Sequence, residues 1–269
     1  MPEGHTLHRL AREQTALFAG RPVHVSSPQG RFAAGAELVD GRVLDDVTAY
    51  GKHLFACFGA DVVHVHLGLY GAYTGGTGDP PAPRGALRMR WTGDGPAGAG
   101  VWTDLRGPTT CEVLSPAGVD RVLARLGPDP LRRGADGAAA YARIGRSRTP
   151  IGALLMDQSV LAGVGNVYRA ELLFRHRVAP LRPGRAVDPE LWGAMWQDLV
   201  TLMRAGVRLG RIVTTLPEHR RRRRGPAERD DAHYVYRRTG LPCRVCGMPV
   251  LTQVLVGRNL YWCPVCQAV

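Results

Sequence analysis

Residues 54–67 of the chain read LFACFGADVVHVHL, and this stretch sets the pattern for the N-terminal half. Two apolar runs, at residues 54–58 and 62–67, flank a turn that contains glycine, which is typical of two paired β-strands. Short runs of the same kind, separated by Gly- and Pro-containing turns, lie at residues 23–25, 42–44, 87–91 and 101–103. This spacing predicts a β-sandwich in the N-terminal half.

An amphipathic helix is predicted to precede the strands. Leu7, Leu10, Ala11 and Leu17 recur at the spacing of one helical face, and Gly20 ends the pattern. Counting back from the first of these residues, the helix begins within a few residues of the start of the chain.

Pro2 and Glu3, at the start of that helix, have functional groups that suit nucleophilic and acid–base catalysis. Removal of Met1 would leave the secondary amine of Pro2 beside the Glu3 carboxylate. An α-amine titrates near ~8, and the positive end of a helix lowers its pKa further, so a neutral nucleophilic amine exists at pH 7. Glu3 would act in general acid–base catalysis. The alternative is structural: Pro2 fills the first helical turn and Glu3 complements the helix dipole.

The C-terminal half is predicted to be helical, with helices at residues 151–158, 168–175 and 189–205. Residues 161–167, LAGVGNV, join the first two helices. Their glycines would leave backbone N–H groups and the Asn166 amide at a helix start, where phosphates bind. An ordinary helix–helix turn is the alternative.

Four cysteines near the C-terminus predict a metal site. Cys243 and Cys246 form one C-x2-C pair, and Cys263 and Cys266 form a second one sixteen residues later. Four thiolates fill a tetrahedral zinc site and leave no position for catalysis, so one structural Zn²⁺ is predicted. Redox pairs or disulfides are the alternative. The strands between the pairs predict a β-hairpin with Arg258 at its tip.

Domain boundaries follow from composition. A Gly- and Pro-rich stretch at residues 126–130 separates the strand-rich half from the helical half. We therefore predict an N-terminal strand-rich domain at residues 1–127, a helical domain at residues 128–235 and a zinc finger at residues 236–269.

Charge indicates a polyanionic partner. The 269 residues carry a formal net charge of +12, and of the 35 basic residues only Lys52 is a lysine. A single lysine among arginines indicates a position that needs a compact, titratable amine, unless it is an accident of an Arg-rich composition. Five consecutive arginines at residues 220–224 are typical of a solvated, mobile loop. The absence of a long apolar run predicts a cytoplasmic protein without a membrane partner.

Four separated motifs give the chain its resemblance to a known family. They are Pro2-Glu3-Gly4-His5, Tyr50-Gly51-Lys52-His53, the stretch at residues 161–168, and Gly257-Arg258 before the second cysteine pair. In this order they resemble the bifunctional DNA glycosylases of the formamidopyrimidine-DNA glycosylase and endonuclease VIII type, and the N-terminal motif is closer to the endonuclease VIII branch. The resemblance implies an α+β fold: an N-terminal β-sandwich with a catalytic N-terminal helix, a helix-two-turns-helix domain and a C-terminal zinc-binding β-hairpin.

The resemblance also implies the role of each site residue. Pro2 would attack C1′ of a damaged nucleotide and form an imine, Glu3 would protonate the sugar ring oxygen, and Lys52 would bind a phosphate and assist elimination. Asn166 and Arg258 would grip phosphates that flank the extruded nucleotide. Further candidates for DNA contact are Leu69, Tyr70, Arg106 and Tyr236. The resemblance implies a monomer, whose partner is damaged DNA, double- or single-stranded.

One departure from the family pattern bears on the substrate. The 8-oxoguanine-removing branch carries an Arg and a Phe that fill the gap left by the extruded base, whereas residues 104–109 here read DLRGPT. Leu69 falls where the family inserts an apolar side chain. A thinner wedge favours oxidised pyrimidines or substrates that are already unstacked, whose extrusion costs less. The sequence thus predicts a glycosylase that also cleaves abasic sites. The rival hypothesis is a zinc-dependent nucleic-acid-binding protein without chemistry, which would need neither Pro2-Glu3 nor Lys52.

Overall fold

A computed structural model describes residues 2–96 and 98–268 of the chain. The chain divides into two compact units, Met1–Arg125 and Leu126–Val269, which are described separately. Within the described ranges, every helix is too short or too polar to cross a lipid bilayer. The predicted boundaries of the three smaller domains stay predictions.

The first unit is a β-sandwich, as predicted. One sheet has five strands in the order β2-β1-β7-β8-β6, and the other has four in the order β3-β4-β5-β9. The strands are β1 (Pro22–Ser26), β2 (Arg42–Val43), β3 (Asp46–Tyr50), β4 (His53–Phe58), β5 (Asp61–His66), β6 (Ala72–Thr77), β7 (Leu87–Asp94), β8 (Gly100–Arg106) and β9 (Thr110–Leu114). All pairings are antiparallel, so each strand presents alternate residues to the core.

The core of this unit lies between the sheets and under the first helix. Leu54, Ala56 and Val63 are fully buried, and Phe18 packs edge-on against Trp91 with ring centroids 5.7 Å apart. The helices are α1 (Gly4–Phe18), α2 (Ala33–Val39) and α3 (Pro116–Leu123). The α1 helix ends where the sequence predicts, since Gly20 adopts φ 76° just beyond it.

The four-stranded sheet has a second covered face, which carries polar residues. Phe55 and Val62 on this face pack with Val122 of α3. Strand register places His53 opposite His66, Phe55 opposite His64, and His64 opposite Glu112. A row of imidazoles on β4 and β5, which ends at the Glu112 carboxylate of β9, therefore lies on the face away from the sandwich core.

The second unit is helical. Its helices are α4 (Gly137–Ile144), α5 (Ile151–Leu154), α6 (Asn166–Arg175) and α7 (Pro189–Leu209). Asp188 caps α7 by accepting from Leu191 N at 2.8 Å, and Gly210 in the left-handed region ends it. The predicted helix at residues 151–158 is wrong in length, because the helix ends at Leu154.

The unit ends in the predicted hairpin, β10 (Leu251–Leu255) paired with β11 (Arg258–Trp262). The turn consists of Val256 and Gly257, both with positive φ, as in a type I′ turn. The prediction that Arg258 forms the tip is therefore wrong by one residue. Arg258 is the first residue of β11 and lies opposite Leu255.

Candidate functional site

Pro2 and Glu3 lie immediately before α1. Glu3 occupies the N-cap position in an extended conformation, and Gly4 is the first helical residue. Pro2 therefore precedes the cap and does not serve as the first residue of the helix, the role in the structural alternative. The Glu3 side chain is completely buried and does not cap the helix. The chain thus places a half-buried proline beside a buried carboxyl group.

A loop between β5 and β6 presents the predicted wedge residues. Gly71 N donates to Leu67 O at 2.9 Å and closes the loop tightly. A side chain on Gly71 would meet Leu67 O at 2.3 Å, so only glycine fits there. Leu69 is 37% exposed and Tyr70 is 85% exposed. The loop therefore holds these two side chains out toward solvent.

An open pocket of about 410 Å³ joins this loop to the start of α1. Pro2, Thr6 and Leu10 line one side, and the other side is formed by Leu67, Leu69, Tyr70, Gly71, Ala72 and Tyr73. The pocket brings the predicted nucleophile and the predicted wedge together within one unit. Its wall is mostly apolar side chains, which suits the flat face of a nucleobase.

Lys52 lies in the turn between β3 and β4. Gly51 and Lys52 form this two-residue turn, and Gly51 has φ 57° at the first central position, as in a type II′ turn. The turn is at the end of the sheet where His53 pairs with His66, next to the β5–β6 loop. Lys52 is half-buried. Burial lowers the pKa of His66, and the positive charge of Lys52 lowers it further.

The imidazole row beside Lys52 was not predicted from the sequence. His64 is 4% exposed and its Nδ1 lies 2.9 Å from Glu112 Oε1. His64 Nε2 lies 2.9 Å from His53 Nδ1. Burial, followed by the charges of His66, His64, Arg125 and Lys52, lowers the pKa of His53 to about 3. Alternating residues in β5 gave a signal, but the pairing across strands could not be read from it.

Arg106, a predicted DNA contact, is engaged within its own unit. Its guanidinium lies 2.8 Å from the fully buried Asp104 carboxylate and donates to Thr74 Oγ1 at 2.9 Å. Arg90 binds the same carboxylate at 2.6 Å. Asp104 thus orients Arg106 at the end of β8 and Arg90 of the neighbouring β7, and the Arg106 side chain remains 28% exposed.

Asn166 is the first residue of α6 and is 4% exposed. Its Nδ2 donates to Asn259 O of β11 at 2.9 Å, and its Oδ1 accepts from Arg169. Arg169, also buried, lies 3.3 Å from the same Asn259 oxygen. Both polar ends of the Asn166 amide therefore bind protein, and they tie the start of α6 to the hairpin that carries Arg258.

Tyr236 is 7% exposed and packs edge-on against Tyr261, with centroids 5.3 Å apart. Its backbone N donates to Glu171 Oε1 at 2.8 Å, and the same buried carboxylate accepts from Tyr234 N and Val235 N. The predicted DNA contact is thus largely covered. Glu171, which the sequence analysis did not find, fixes the backbone at residues 234–236.

The four cysteines converge as predicted. Their Sγ atoms all lie within 4.8 Å of one another, with Cys243 to Cys266 at 3.8 Å and Cys246 to Cys263 at 3.4 Å. Four sulfurs at about 2.3 Å around a tetrahedral zinc are about 3.8 Å apart, so the cluster fits one structural Zn²⁺. The hairpin strands lie between the two cysteine pairs, so the metal fixes both ends of the hairpin.

The arginine run at residues 220–224 is mostly exposed, as predicted for a solvated loop, and it makes several contacts. Arg220 donates to Thr215 Oγ1 at 3.0 Å, and Arg221 lies 3.2 Å from Asp230. Arg222 is 4.0 Å from Glu228. Three of the five guanidinium groups therefore contact protein groups.

Comparison with known proteins gives the same architecture. The chain matches family models for the formamidopyrimidine-DNA glycosylase N-terminal domain at residues 1–111, the formamidopyrimidine-DNA glycosylase H2TH domain at 126–218, and the zinc finger found in FPG and IleRS at 240–269. It is 56% identical to endonuclease 8 1 of Mycobacterium tuberculosis, covering 99% of this chain and 100% of that protein. Identity to the formamidopyrimidine-DNA glycosylase of Thermus thermophilus is 35%, covering 99% and 98%.

A solved structure of the Lactococcus lactis enzyme Fpg with DNA containing an abasic site has the same fold. Its TM-score is 0.79 at 20% identity, over 99% of this chain and 100% of that one. Fold, zinc site and relatives define a DNA-binding repair glycosylase with a structural zinc finger. The chain belongs to the formamidopyrimidine-DNA glycosylase and endonuclease VIII family.

Proposed function

We propose that this glycosylase excises oxidised pyrimidines and then cleaves the abasic site through an imine formed with Pro2. The observation that carries the proposal is the position of Pro2, outside α1, directly before the buried Glu3 and in the wall of an open pocket. A secondary amine placed at such a pocket, once Met1 is removed, is a nucleophile with room for a substrate.

In this proposal the Pro2 nitrogen forms a bond to C1′ and the bond from C1′ to the base breaks. The base leaves with the electrons of that bond and takes up the proton that the Pro2 nitrogen gives up. Glu3 donates a proton to the ring oxygen, and the ring opens to an iminium ion. Glu3, now a carboxylate, accepts the C2′ proton, and the electron pair of that C–H bond moves toward the iminium. The 3′ phosphate then departs with the electrons of its C–O bond. A second elimination releases the 5′ phosphate.

Lys52 would hold the phosphate whose bond breaks. It is the only lysine in the chain, and the type II′ turn places it at the edge of the four-stranded sheet that adjoins the Leu67–Gly71 loop. The compact ammonium can approach a phosphate as a point charge and can also give up a proton, which a guanidinium cannot.

The second unit would supply the remaining DNA contacts. Arg258 is exposed at the start of β11 and suits a phosphate. Asn166 would act by holding β11 against α6, since its amide is already bound to Asn259 O and Arg169. Tyr236 would position its exposed neighbour Arg237, whose guanidinium lies 5.5 Å from the Tyr236 ring centre.

The preference for pyrimidines rests on a short connection. β8 ends at Arg106 and β9 begins at Thr110, and Gly107 between them has φ 57°. Thr109 N donates to His66 O at 2.9 Å, which ties the connection down. Such a connection cannot project a long aromatic wedge, so Leu69 and Tyr70 would fill the gap left by an extruded base.

Borohydride reduction on abasic-site DNA tests the chemistry. Protein with Met1 removed, confirmed by mass, is expected to form a covalent product with the DNA, as an imine would. Protein with an uncleaved N-terminal tag should bind the same DNA and form none. Absence of a product from the processed protein would contradict the lyase activity and favour a glycosylase without a covalent step.

A panel of lesions tests the substrate preference separately. Oxidised pyrimidines in duplex DNA are expected to be excised faster than 8-oxoguanine opposite cytosine. Faster excision of 8-oxoguanine would overturn the preference while leaving the imine chemistry untouched.

A further inference from the structure

The imidazole row on the outer face of the four-stranded sheet has different groups at its two ends. Glu112 of β9 is 49% exposed, His64 of β5 is buried, and His53 of β4 is half-buried. The two contacts in this row, Glu112 Oε1 to His64 Nδ1 and His64 Nε2 to His53 Nδ1, are both 2.9 Å long. The row runs from a solvent-exposed carboxylate to the residue that follows Lys52.

The carboxylate determines which ring nitrogens carry protons. An ionised carboxylate only accepts, so His64 Nδ1 carries the hydrogen of that bond. A neutral imidazole has one donor and one acceptor, so His64 Nε2 accepts from His53 Nδ1. The remaining nitrogen, His53 Nε2, is then an unprotonated acceptor.

The surroundings keep His53 uncharged. Burial lowers the pKa of His53 most, and the basic groups around it, His66, His64, Arg125 and Lys52, lower it further. The His66 ring centre is 4.9 Å away, and His66 Nδ1 accepts from Gly68 N at 3.2 Å. A second cation at His53 would repel Lys52, whereas a neutral acceptor would attract it.

We propose that Glu112, His64 and His53 form a positioning relay for Lys52. The Glu112 carboxylate sets both imidazole tautomers, and His53 presents an acceptor nitrogen at the turn that carries the Lys52 ammonium. The three residues touch neither substrate nor reacting atoms, so they are positioning residues. This inference rests on the proposed role of Lys52 in abasic-site cleavage.

Two substitutions at Glu112 separate the effect of the imidazole tautomers from the effect of the charge at residue 112. In Glu112→Gln the amide oxygen still accepts from His64 Nδ1, so the tautomers stay and cleavage should remain within about twofold of the parent. In Glu112→Lys the ammonium only donates, so His64 Nδ1 must accept and both imidazoles reverse. Loss of the residues that orient metal-binding side chains costs about 10- to 100-fold in activity, and we take the lower end as a guide for an oriented lysine. We expect cleavage to fall by about tenfold or more.

The design excludes weaker DNA binding as the cause. Glu112→Lys adds positive charge, which strengthens attraction to phosphates. The matched control is Asp120→Lys on the exposed surface of α3, which makes the same change of charge outside the imidazole row. Its cleavage rate should equal that of the parent. Because Glu112 is half-exposed, neither substitution buries a new group.

The measurements are single-turnover cleavage of abasic DNA, with DNA binding in parallel, and ¹⁵N NMR of the histidine rings in the intact protein. We expect protonated Nδ1 and unprotonated Nε2 in both His53 and His64 of the parent. A protonated His53 Nε2, or a doubly protonated His64, would overturn the relay. So would parental cleavage by Glu112→Lys, or equal losses in Glu112→Gln and Glu112→Lys.

Failure of the proposed function would be visible separately. Imine trapping at Pro2 does not need the relay, so Glu112→Lys should still be trapped by borohydride. Absence of trapping in the parent would contradict the imine chemistry, while the ring tautomers would still decide whether the relay exists.

Discussion

Two hairpins carry the two cations proposed to bind phosphate, and they differ in what holds them. The β3–β4 hairpin with Lys52 belongs to a sandwich in which Leu54 and Ala56 are fully buried. The β10–β11 hairpin with Arg258 is a two-stranded ribbon whose Val254 is 70% exposed. The first is held by burial in the sandwich core. The second buries only Leu260 and Tyr261 of one strand, and it depends in addition on the four-cysteine zinc site and on polar contacts to α6. Similar turns can therefore depend on different sources of stability.

The largest expected effect is on the zinc hairpin. Cys263→Ser should release the metal, which contributes about 10 kcal/mol or more to folding in small zinc modules. The hairpin should unfold and DNA binding should weaken, while amides of β4 keep their protection from hydrogen exchange. Zinc content by elemental analysis and exchange rates by NMR measure both. Unchanged zinc content would refute the four-thiolate site.

The next substitution tests the other hairpin, through the core of the β-sandwich. Leu54→Ala removes a fully buried side chain from β4 and should destabilise the first unit by about 2–5 kcal/mol. Zinc content should stay at one ion per chain. Chemical denaturation with fluorescence and metal analysis tests this, and loss of zinc in the folded variant would show that the two hairpins are not independent.

Lys52→Arg sharpens the comparison between the two cations. The guanidinium keeps the charge but is bulkier and cannot give up its proton at working pH. We expect normal binding to abasic DNA and a fall in single-turnover cleavage of more than about tenfold, or about 1.4 kcal/mol. Arg258→Lys, the matched exchange on the other hairpin, should change cleavage less. Equal cleavage by Lys52→Arg and the parent would remove any special role for the amine.

The smallest expected effect on cleavage is at Asn166. Asn166→Ala removes the bonds to Asn259 O and to the buried Arg169, and it should cost about 1–3 kcal/mol of local stability because buried partners are left unsatisfied. DNA binding should weaken severalfold and cleavage by bound enzyme should persist. A loss of binding as large as that of Arg258→Ala would instead indicate a direct phosphate contact by Asn166.

The sequence predicted the parts of the fold that depend on local pattern. Strand alternation at residues 54–67 and the helical spacing before Gly20 were sufficient, and the cysteine spacing indicated the zinc site because the chemistry requires it. The row of His53, His64 and Glu112 was missed because its contacts depend on register across three strands. The partner of Asn166 was missed because the contact joins the start of α6 to a strand residue, Asn259, that lies 93 residues away in the sequence. The periodicity of a sequence shows which face of a strand or helix a residue occupies. It does not show which residue of a neighbouring element lies opposite.

Identification of the residue that carries the reduced cross-link tests the central claim most directly. The chain has only two kinds of primary or secondary amine that can form an imine, the N-terminus and the single lysine, Lys52. Processed protein is trapped on abasic DNA with borohydride, digested and analysed by mass spectrometry. We predict the sugar remnant on the N-terminal peptide at Pro2, with Lys52 unmodified. A remnant on Lys52 would contradict the assignment of the nucleophile.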